Sequence, residues 1–448
     1  MPSRRGGTGY VVQKKDIQMK VALHTRGCPL NFAETSTLAR DFIKRGYEQV
    51  NFNEKADIYV INTCTVTSNA DKQSKKDIKK ARNLNPEATI IVVGCYAQLY
   101  PEKIATIEGV DLIPGNYGKF DIPEYLEKHK KNESPKTHSS KPEDLIKYHP
   151  SYSLGDRTRS FLKVQEGCDY SCSYCTIPLA RGKSRNQSIE SLTEEAQTIA
   201  KSGIKEIILT GINIGDFGRS TGETFPELIK QLENVAGIER YRIASIEPNL
   251  LNDDIIRFVS QSEKFLPHFH IPLQSGCNEI LAKMKRKYNR DFFQDKIQQI
   301  KKQIPDAFIG VDVIVGFPGE DDEKFRETFE FLKNLDASYY HVFPYSIRHN
   351  TTAARMKGHV NGEEIKQRSK KLQDLAEKKI MAFYKNHLGE KREVLFENHN
   401  LHGKIFGYTD NYIRIEKNYN PEWTGEIKKV ALKQINNQGN VEGEICDK

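Results

Sequence analysis

The sequence has no long hydrophobic run. No window approaches the roughly 18 apolar residues that a bilayer-spanning helix requires, and Met1–Lys20 has no apolar core of a signal peptide. These absences exclude a membrane role and lead us to expect a cytoplasmic protein. Cysteine is sparse, at eight in 448 residues. In a reducing compartment these do not make a disulfide framework, so their placement is read first as metal-ligating or catalytic. No Gly-Lys-Ser/Thr ending follows Gly316-Phe317-Pro318-Gly319-Glu320, so that stretch reads as a barrel turn and not as a phosphate loop. There is no internal repeat beyond an alternation of strand-like and helical patterns.

What is present points to several domains and an anionic partner. The length implies about three domains at roughly 100–200 residues each. A formal charge of +8 with 37% hydrophobic residues suits a protein that meets a polyanion at its surface. Residues 1–18 are polar and aperiodic, and are expected to be a disordered extension. Residues 19–127 alternate strand and helix and predict a small parallel α/β domain. Residues 128–153 are rich in Lys, Ser, Pro and His and read as a linker. Residues 154–385 repeat the alternation six times, with strands near 161–165, 206–210, 240–245, 267–271, 308–314 and 339–343. Six units are too few for an eightfold barrel, so a partial (β/α)6 barrel is expected, closed by a charged helix over about 362–386. Residues 386–448 carry short strand-like runs between turns and predict a small all-β barrel.

Two groups of three cysteines carry the chemistry. Immediately after the strand at 161–165 come Cys168, Cys172 and Cys175, in a Cys-x3-Cys-x2-Cys spacing. Three thiolates on one short loop hold three irons of a 4Fe-4S cubane and leave the fourth iron open to a small molecule. A structural zinc site is the competing reading, but zinc takes four protein ligands, and no Cys or His occurs between Cys175 and Glu263. The second group, Cys28, Cys64 and Cys95, has one cysteine at the end of each of three strands of the first domain. In a parallel sheet these ends gather on one edge, where α/β folds bind ligands. Three unrelated buried thiols are the plain alternative. Cys277 and Cys446 stand apart and read as ordinary thiols.

At the first loop the sequence resembles the radical S-adenosylmethionine (SAM) superfamily. The resemblance implies that SAM chelates the open iron and is cleaved to a deoxyadenosyl radical. It also implies that Tyr174 and Phe343 flank adenine, that Gly211 lets backbone approach the methionyl group, and that Ser245 and Glu247 contact ribose or the amino group. Satisfied hydrogen bonds at strand ends are the competing role for the polar ones. The two trios ahead of a terminal β-barrel resemble the methylthiotransferase family over about Lys20 to Ile445. That resemblance implies two 4Fe-4S clusters, two SAM molecules and a TRAM-like tail. Thr25–Asn31, Asn62–Thr67 with Ala70-Asp71, and Gly94–Gln98 are similar to the branch that adds a methylthio group to carbon 2 of threonylcarbamoyladenosine beside the anticodon. The expected partners are then a tRNA anticodon stem-loop and a reducing donor such as flavodoxin or ferredoxin. The sulfur source stays open. Isopentenyl-type adenosine or a ribosomal protein as substrate, and a non-catalytic iron-sulfur RNA sensor, are the alternatives.

Basic residues cluster on three helical stretches. Lys76, Lys79 and Lys80, with Arg181 and Arg185 past the cysteine loop, are candidate phosphate contacts, a solvated charged face being the alternative. The tail has slightly more acidic than basic residues and offers Phe406, Tyr408, Tyr412 and Trp423 for stacking or for its own core. Arg26, next to Cys28, is the candidate partner for the carboxylate of the threonylcarbamoyl group, against a surface or cluster-neutralising role.

Overall fold

The computed structural model describes residues 18–129, 135–138, 146–155 and 157–446. The expected extension at 1–18 falls almost wholly outside the described residues.

The first unit is a six-stranded all-parallel sheet. Its strands are β1 (Lys20–Thr25), β2 (Glu48–Val50), β3 (Ile58–Thr63), β4 (Thr89–Gly94), β5 (Leu112–Gly115) and β6 (Lys136–Thr137), in the order β2-β1-β3-β4-β5-β6. Every residue of β3 is buried, as expected of a central strand covered by helices on both faces. Alternate residues divide between two cores. Tyr59, Ile61, Ile90 and Val92 pack on one face, and Ile58, Val60, Ile91 and Val93 on the other, which is the period of two expected of strands. Helices Pro29–Lys44 and Ser68–Leu84 begin directly after two of the cysteine loops. The second is capped by the Thr67 hydroxyl, which accepts from the Ala70 amide at 3.2 Å.

The second unit contains β7 (Ser160–Lys163), β8 (Glu206–Thr210), β9 (Arg240–Ile243), β10 (His268–Gln274), β11 (Phe308–Val315) and β12 (Tyr339–Pro344), all parallel. They form two three-stranded sheets joined by single bridges, Tyr241 to Phe265 and Ser245 to His270. One continuous hydrophobic core runs under both sheets. This is the expected partial barrel, and the helix Gly362–Asn386 packs along β12.

The third unit is a closed barrel of β13 (Lys391–Phe396), β14 (Lys404–Thr409), β15 (Arg414–Asn418), β16 (Ile427–Ile435) and β17 (Val441–Ile445). The α/β class with a terminal TRAM-like barrel is as expected. Strands β14 and β17 were not anticipated because each carries a central glycine. The closure requires them: a Cβ on Gly407 would lie 2.7 Å from the Leu395 carbonyl oxygen, and one on Gly443 would lie 2.5 Å from that of Ala431.

One expectation is corrected. The stretch 128–153 is not simply a linker, since it supplies β6, and Tyr152 bridges Leu162 of β7. Arg40 donates to the Tyr152 carbonyl at 2.8 Å, and the Leu154 amide donates to Ser36 at 3.0 Å. These contacts are made by backbone, so polar composition concealed them. Residues 130–134 and 139–145 of that stretch lie outside the described residues. No described helix is long and apolar enough to cross a membrane.

The tail barrel sits at the amino ends of the partial-barrel strands, opposite the cysteine loops. Arg242, fully buried, pairs with Glu206 at 2.9 Å and donates to the carbonyls of Thr409 at 2.7 Å and Asp410 at 2.9 Å. Arg242→Met should leave Glu206 and two carbonyls without their donor, lowering stability by about 3 kcal/mol or more. The check is the urea midpoint together with proteolysis of the tail. A wild-type midpoint with a protected tail would show that the contact does not fasten the two units.

Candidate functional site

The carboxyl ends of β1, β3 and β4 bring Cys28, Cys64 and Cys95 to one edge of the sheet. Asn31 donates to the carbonyls of Arg26 at 2.8 Å and Thr63 at 3.3 Å, tying the first two loops together. Gly94, at φ +93°, must be glycine, because a Cβ there would lie 2.4 Å from the Thr63 carbonyl oxygen. Burial pushes the Cys64 thiol up to about 12, and neighbouring Cys95 and Cys28 add to the effect. The amide of Asn116 donates to Cys95 Sγ at 3.6 Å.

Cys168, Cys172 and Cys175 occupy the loop after β7. Gly167, at φ +77°, lets the loop pass against the Lys183 carbonyl. The backbone amides of Tyr170 and Ile177 donate to Cys168 Sγ at 3.4 Å and to Cys175 Sγ at 3.5 Å. Burial raises these thiols to about 11 and about 12, with smaller effects among the three cysteines. Arg286 donates to Cys172 Sγ at 3.1 Å and to the Tyr174 hydroxyl at 3.4 Å, and it also pairs with Glu247.

The donor chemistry fits iron-sulfur clusters. N–H groups aimed at sulfur stabilise cluster thiolates and tune their potential. In neither trio do the three sulfurs all lie within 4.8 Å of one another, whereas the half-buried His270, Asp312 and His341 bring their ligand atoms that close.

A cavity of about 240 Å³ lies between Cys175 and the loop that follows Cys64. One wall contains Tyr174 and Cys175, and the facing wall contains Val66 and Thr67, just past Cys64. The expected adenine-flanking pair, Tyr174 and Phe343, both line it, and Phe343 is exposed there. Gly211, Ser245 and Glu247 lie at the ends of β8 and β9 and do not line it. Gly211 instead abuts Gln165, whose Oε1 accepts from the amides of Ile212 and Asn213, each at 2.9 Å. Ser245 is engaged through its backbone by His270, and Glu247 faces Arg286.

Three candidate contacts are corrected. Arg181 and Arg185 are buried rather than offered to phosphate. Arg181 pairs with Glu34 at 2.9 Å and Glu166 at 2.8 Å, and donates to Asn31 at 2.6 Å. Arg185 lies 3.4 Å from Glu166 and donates to the Lys147 carbonyl at 3.0 Å. Their charges are spent on two carboxylates that cannot be buried alone. Arg26 is engaged by Asp77, through Nε at 2.6 Å and Nη2 at 2.9 Å, so its side-on edge is already filled. Lys76, Lys79 and Lys80 are exposed along one helix, Lys80 bonding Asn53. Of the tail aromatics, Tyr412 packs on His268 and Phe308, Trp423 on Phe396, Tyr408 on Tyr412, and Phe406 lies under Arg414.

The comparisons agree with this geometry. A model of the radical SAM superfamily matches residues 162–332, and one described as uncharacterized protein family UPF0004 matches residues 20–115. A Bacillus subtilis relative, threonylcarbamoyladenosine tRNA methylthiotransferase MtaB, is 38% identical over 92% of this chain and 93% of its own. The chain belongs to the radical SAM methylthiotransferase family. A protein of the same name from Aquifex aeolicus is 37% identical over 92% of this chain and 100% of its own. A Clostridium botulinum relative named tRNA-2-methylthio-N(6)-dimethylallyladenosine synthase is 32% identical over 89% of this chain and 91% of its own. Among solved structures, the SAM methyltransferase TsrM from Kitasatospora setae superposes with a TM-score of 0.54 at 14% identity, over 75% of this chain and 77% of its own. At that identity it shows the fold alone. As a radical SAM methylthiotransferase, the chain uses SAM and a 4Fe-4S cluster.

Sequence reasoning missed Arg286 and Arg348, whereas Gln274 and Tyr345 stand on the strand-end segments His270–Ser275 and Val342–Tyr345 that the resemblance implies for the SAM cradle. Gln274 ends β10 at φ +75° beside a bulge and lines the cavity, a strained conformation of the kind that collects at functional sites. Nothing local in the sequence marks Arg286 and Arg348, because each reaches the site from a loop far along the chain from its partners.

Glu34 gives a pH signature. Burial alone would raise its pKa, but Arg181, Lys119 and Lys163 together bring it from the ordinary 4.5 to about 2. A depressed carboxylate contributes stability that is present above its unfolded pKa and is lost as pH falls through the folded one. The unit interface should therefore weaken between about pH 4.5 and 2. Glu34→Gln should lower the thermal midpoint at pH 7 and lose less of it on acidification, read by calorimetry across that window. Parallel curves for the two proteins would show that Glu34 is not the titrating group.

Proposed function

We propose that this enzyme adds a methylthio group to carbon 2 of threonylcarbamoyladenosine in the anticodon loop of tRNA. The observation that carries the reading is the single cavity bounded by Cys175 on one side and by the residues after Cys64 on the other. Cys168, Cys172 and Cys175 would hold the cluster that binds SAM, and Cys28, Cys64 and Cys95 an auxiliary one. When bound, the two clusters and two SAM molecules supply the radical, the sulfur and the methyl group. The protein's own residues bring the parts together and shield them. Tyr174 and Phe343 offer aromatic faces for adenine. Arg286 neutralises sulfur at Cys172 and is itself oriented by Glu247 and Tyr288. Asp312 lines the cavity while its carboxylate is bound by His270 Nε2 at 2.6 Å. A flavodoxin or ferredoxin would serve as electron donor in the cytoplasm.

The choice of nucleoside is supported by the names of the Bacillus and Aquifex relatives. Exposed Lys76, Lys79 and Lys80 stand on the helix that follows the Cys64 loop, well placed to take phosphates of an RNA whose base enters the cavity.

Anaerobically reconstituted protein should hold about eight irons. Replacing either cysteine trio with alanine should halve that number. Loss of the second trio, Cys168, Cys172 and Cys175, should also stop deoxyadenosine release from SAM, while loss of the first should not. A full iron complement without Cys28, Cys64 and Cys95 would refute the auxiliary cluster.

Given SAM, reductant and sulfide, the enzyme should methylthiolate tRNA bearing threonylcarbamoyladenosine, detected by nucleoside mass spectrometry. Modification only of tRNA bearing isopentenyladenosine would overturn the choice of base. In the same assay, changing Lys76, Lys79 and Lys80 to Glu should raise KM several-fold at low salt, and an unchanged KM would move the docking face elsewhere.

A further inference from the structure

The segment leaving β12 places Tyr345 and Arg348 in the wall of the cavity between the two trios. Arg348 is only 5% exposed. Its Nη1 is engaged, donating to Asp71 Oδ2 at 2.7 Å and to Thr65 Oγ1 at 3.5 Å. Its Nε and Nη2 are buried and meet no acceptor among the described residues, and the buried Tyr345 hydroxyl is in the same position.

Such an arrangement is costly unless something fills it. A buried unpaired donor is destabilising, and more so when it is charged. Asp71 balances the charge of the guanidinium but uses only one corner of it. The two free atoms, Nε and Nη2, form the edge that grips both oxygens of a carboxylate or phosphate side-on. The chain shows that grip elsewhere: Arg26 binds both oxygens of Asp77 through the same two atoms. The Arg26 fork is filled, whereas the same two atoms of Arg348, a residue that lines the cavity, have no partner among the described residues. Asp312 also lines the cavity, but its carboxylate is held by His270. Asp71 and Thr65 belong to the first unit and Arg348 to the second, so this fork is assembled only where the two units meet.

We propose that Arg348, assisted by the Tyr345 hydroxyl, binds an oxyanion of the substrate nucleotide in this cavity. Resting on the tRNA reading above, the candidate oxyanions are the carboxylate of the threonylcarbamoyl group and the phosphate of the target nucleotide, and both make the same side-on pair. Arg348 thus takes the role that the sequence assigned to Arg26.

The test uses full-length reconstituted enzyme and three anticodon stem-loop RNAs, carrying threonylcarbamoyladenosine, its methyl ester or plain adenosine at the target position. Two substitutions are compared with wild type. Arg348→Lys keeps the positive charge for Asp71 but removes the planar fork, and Tyr345→Phe removes one oxygen. Iron content and thermal midpoint establish that each variant is folded. Arg348→Lys should weaken binding of the threonylcarbamoyl RNA by roughly tenfold or more, and Tyr345→Phe should weaken it several-fold.

If the carboxylate is the ligand, the ester and plain RNAs bind wild type and Arg348→Lys alike. If the phosphate is the ligand, all three RNAs weaken together. Either pattern supports the assignment. It is overturned if both variants bind every RNA as wild type does, or if Arg348→Lys weakens SAM binding and leaves RNA binding intact. Failure of the tRNA reading itself would show separately, as wild-type enzyme that does not methylthiolate threonylcarbamoyl tRNA.

Discussion

Between the sheet and the partial barrel, Glu34 of the helix after Cys28 lies within 2.7 Å of Lys119, 2.9 Å of Arg181 and 3.5 Å of Lys163. Glu166, in the loop that leads to Cys168, completes the cluster by pairing with Lys163 at 3.0 Å and with Arg181 at 2.8 Å. With Arg185 there are four cations and two carboxylates, all buried. Such a group is stable only if each ion keeps its partners, so the two units cannot part or slide without exposing uncompensated charge. The rest of the site depends on this constraint, because it fixes the separation of two cysteine trios that belong to different units.

Of these cations, Arg181 also bears on sulfur. Arg181 acts electrostatically on Cys28 and Cys95, lowering the pKa of Cys28 against the burial that raises it. Burial lowers Lys119 to about 8, with Glu34 opposing, so part of the positive charge is itself adjustable. Thiolates or a cluster at the first trio would meet a field already arranged for negative charge. Asn116 links the same parts mechanically, donating to Cys95 Sγ at 3.6 Å and to the Ala180 carbonyl at 2.8 Å. The short helix Ile177–Arg181, starting two residues after Cys175, is thereby connected to the loops of both cysteine trios.

The tail is attached at the other end of the barrel, through Arg242 and the aromatic contacts of Tyr412 with His268 and Phe308. It leaves the carboxyl-end face, with its cavity, to the first unit and the barrel. A tail barrel so placed meets RNA only if the RNA extends beyond the target base.

The sequence by itself determined the six strands of the partial barrel, the two trios and the order of the units. Strand periodicity is local, and a cysteine at a strand end is visible wherever the strand is. The triplet Cys168, Cys172 and Cys175 is local too, being set by loop spacing. Charge, in contrast, has no local meaning: Arg181 and Arg185 read as phosphate ligands until Glu34, more than a hundred residues earlier, is brought against Arg181. The same limit hid Arg348, whose anchor Asp71 lies 277 positions away. Whether an arginine is spent or available depends on which carboxylates the fold buries beside it, and only the tertiary structure decides that, because the cost of burying an unpaired charge is settled between segments that never adjoin in sequence.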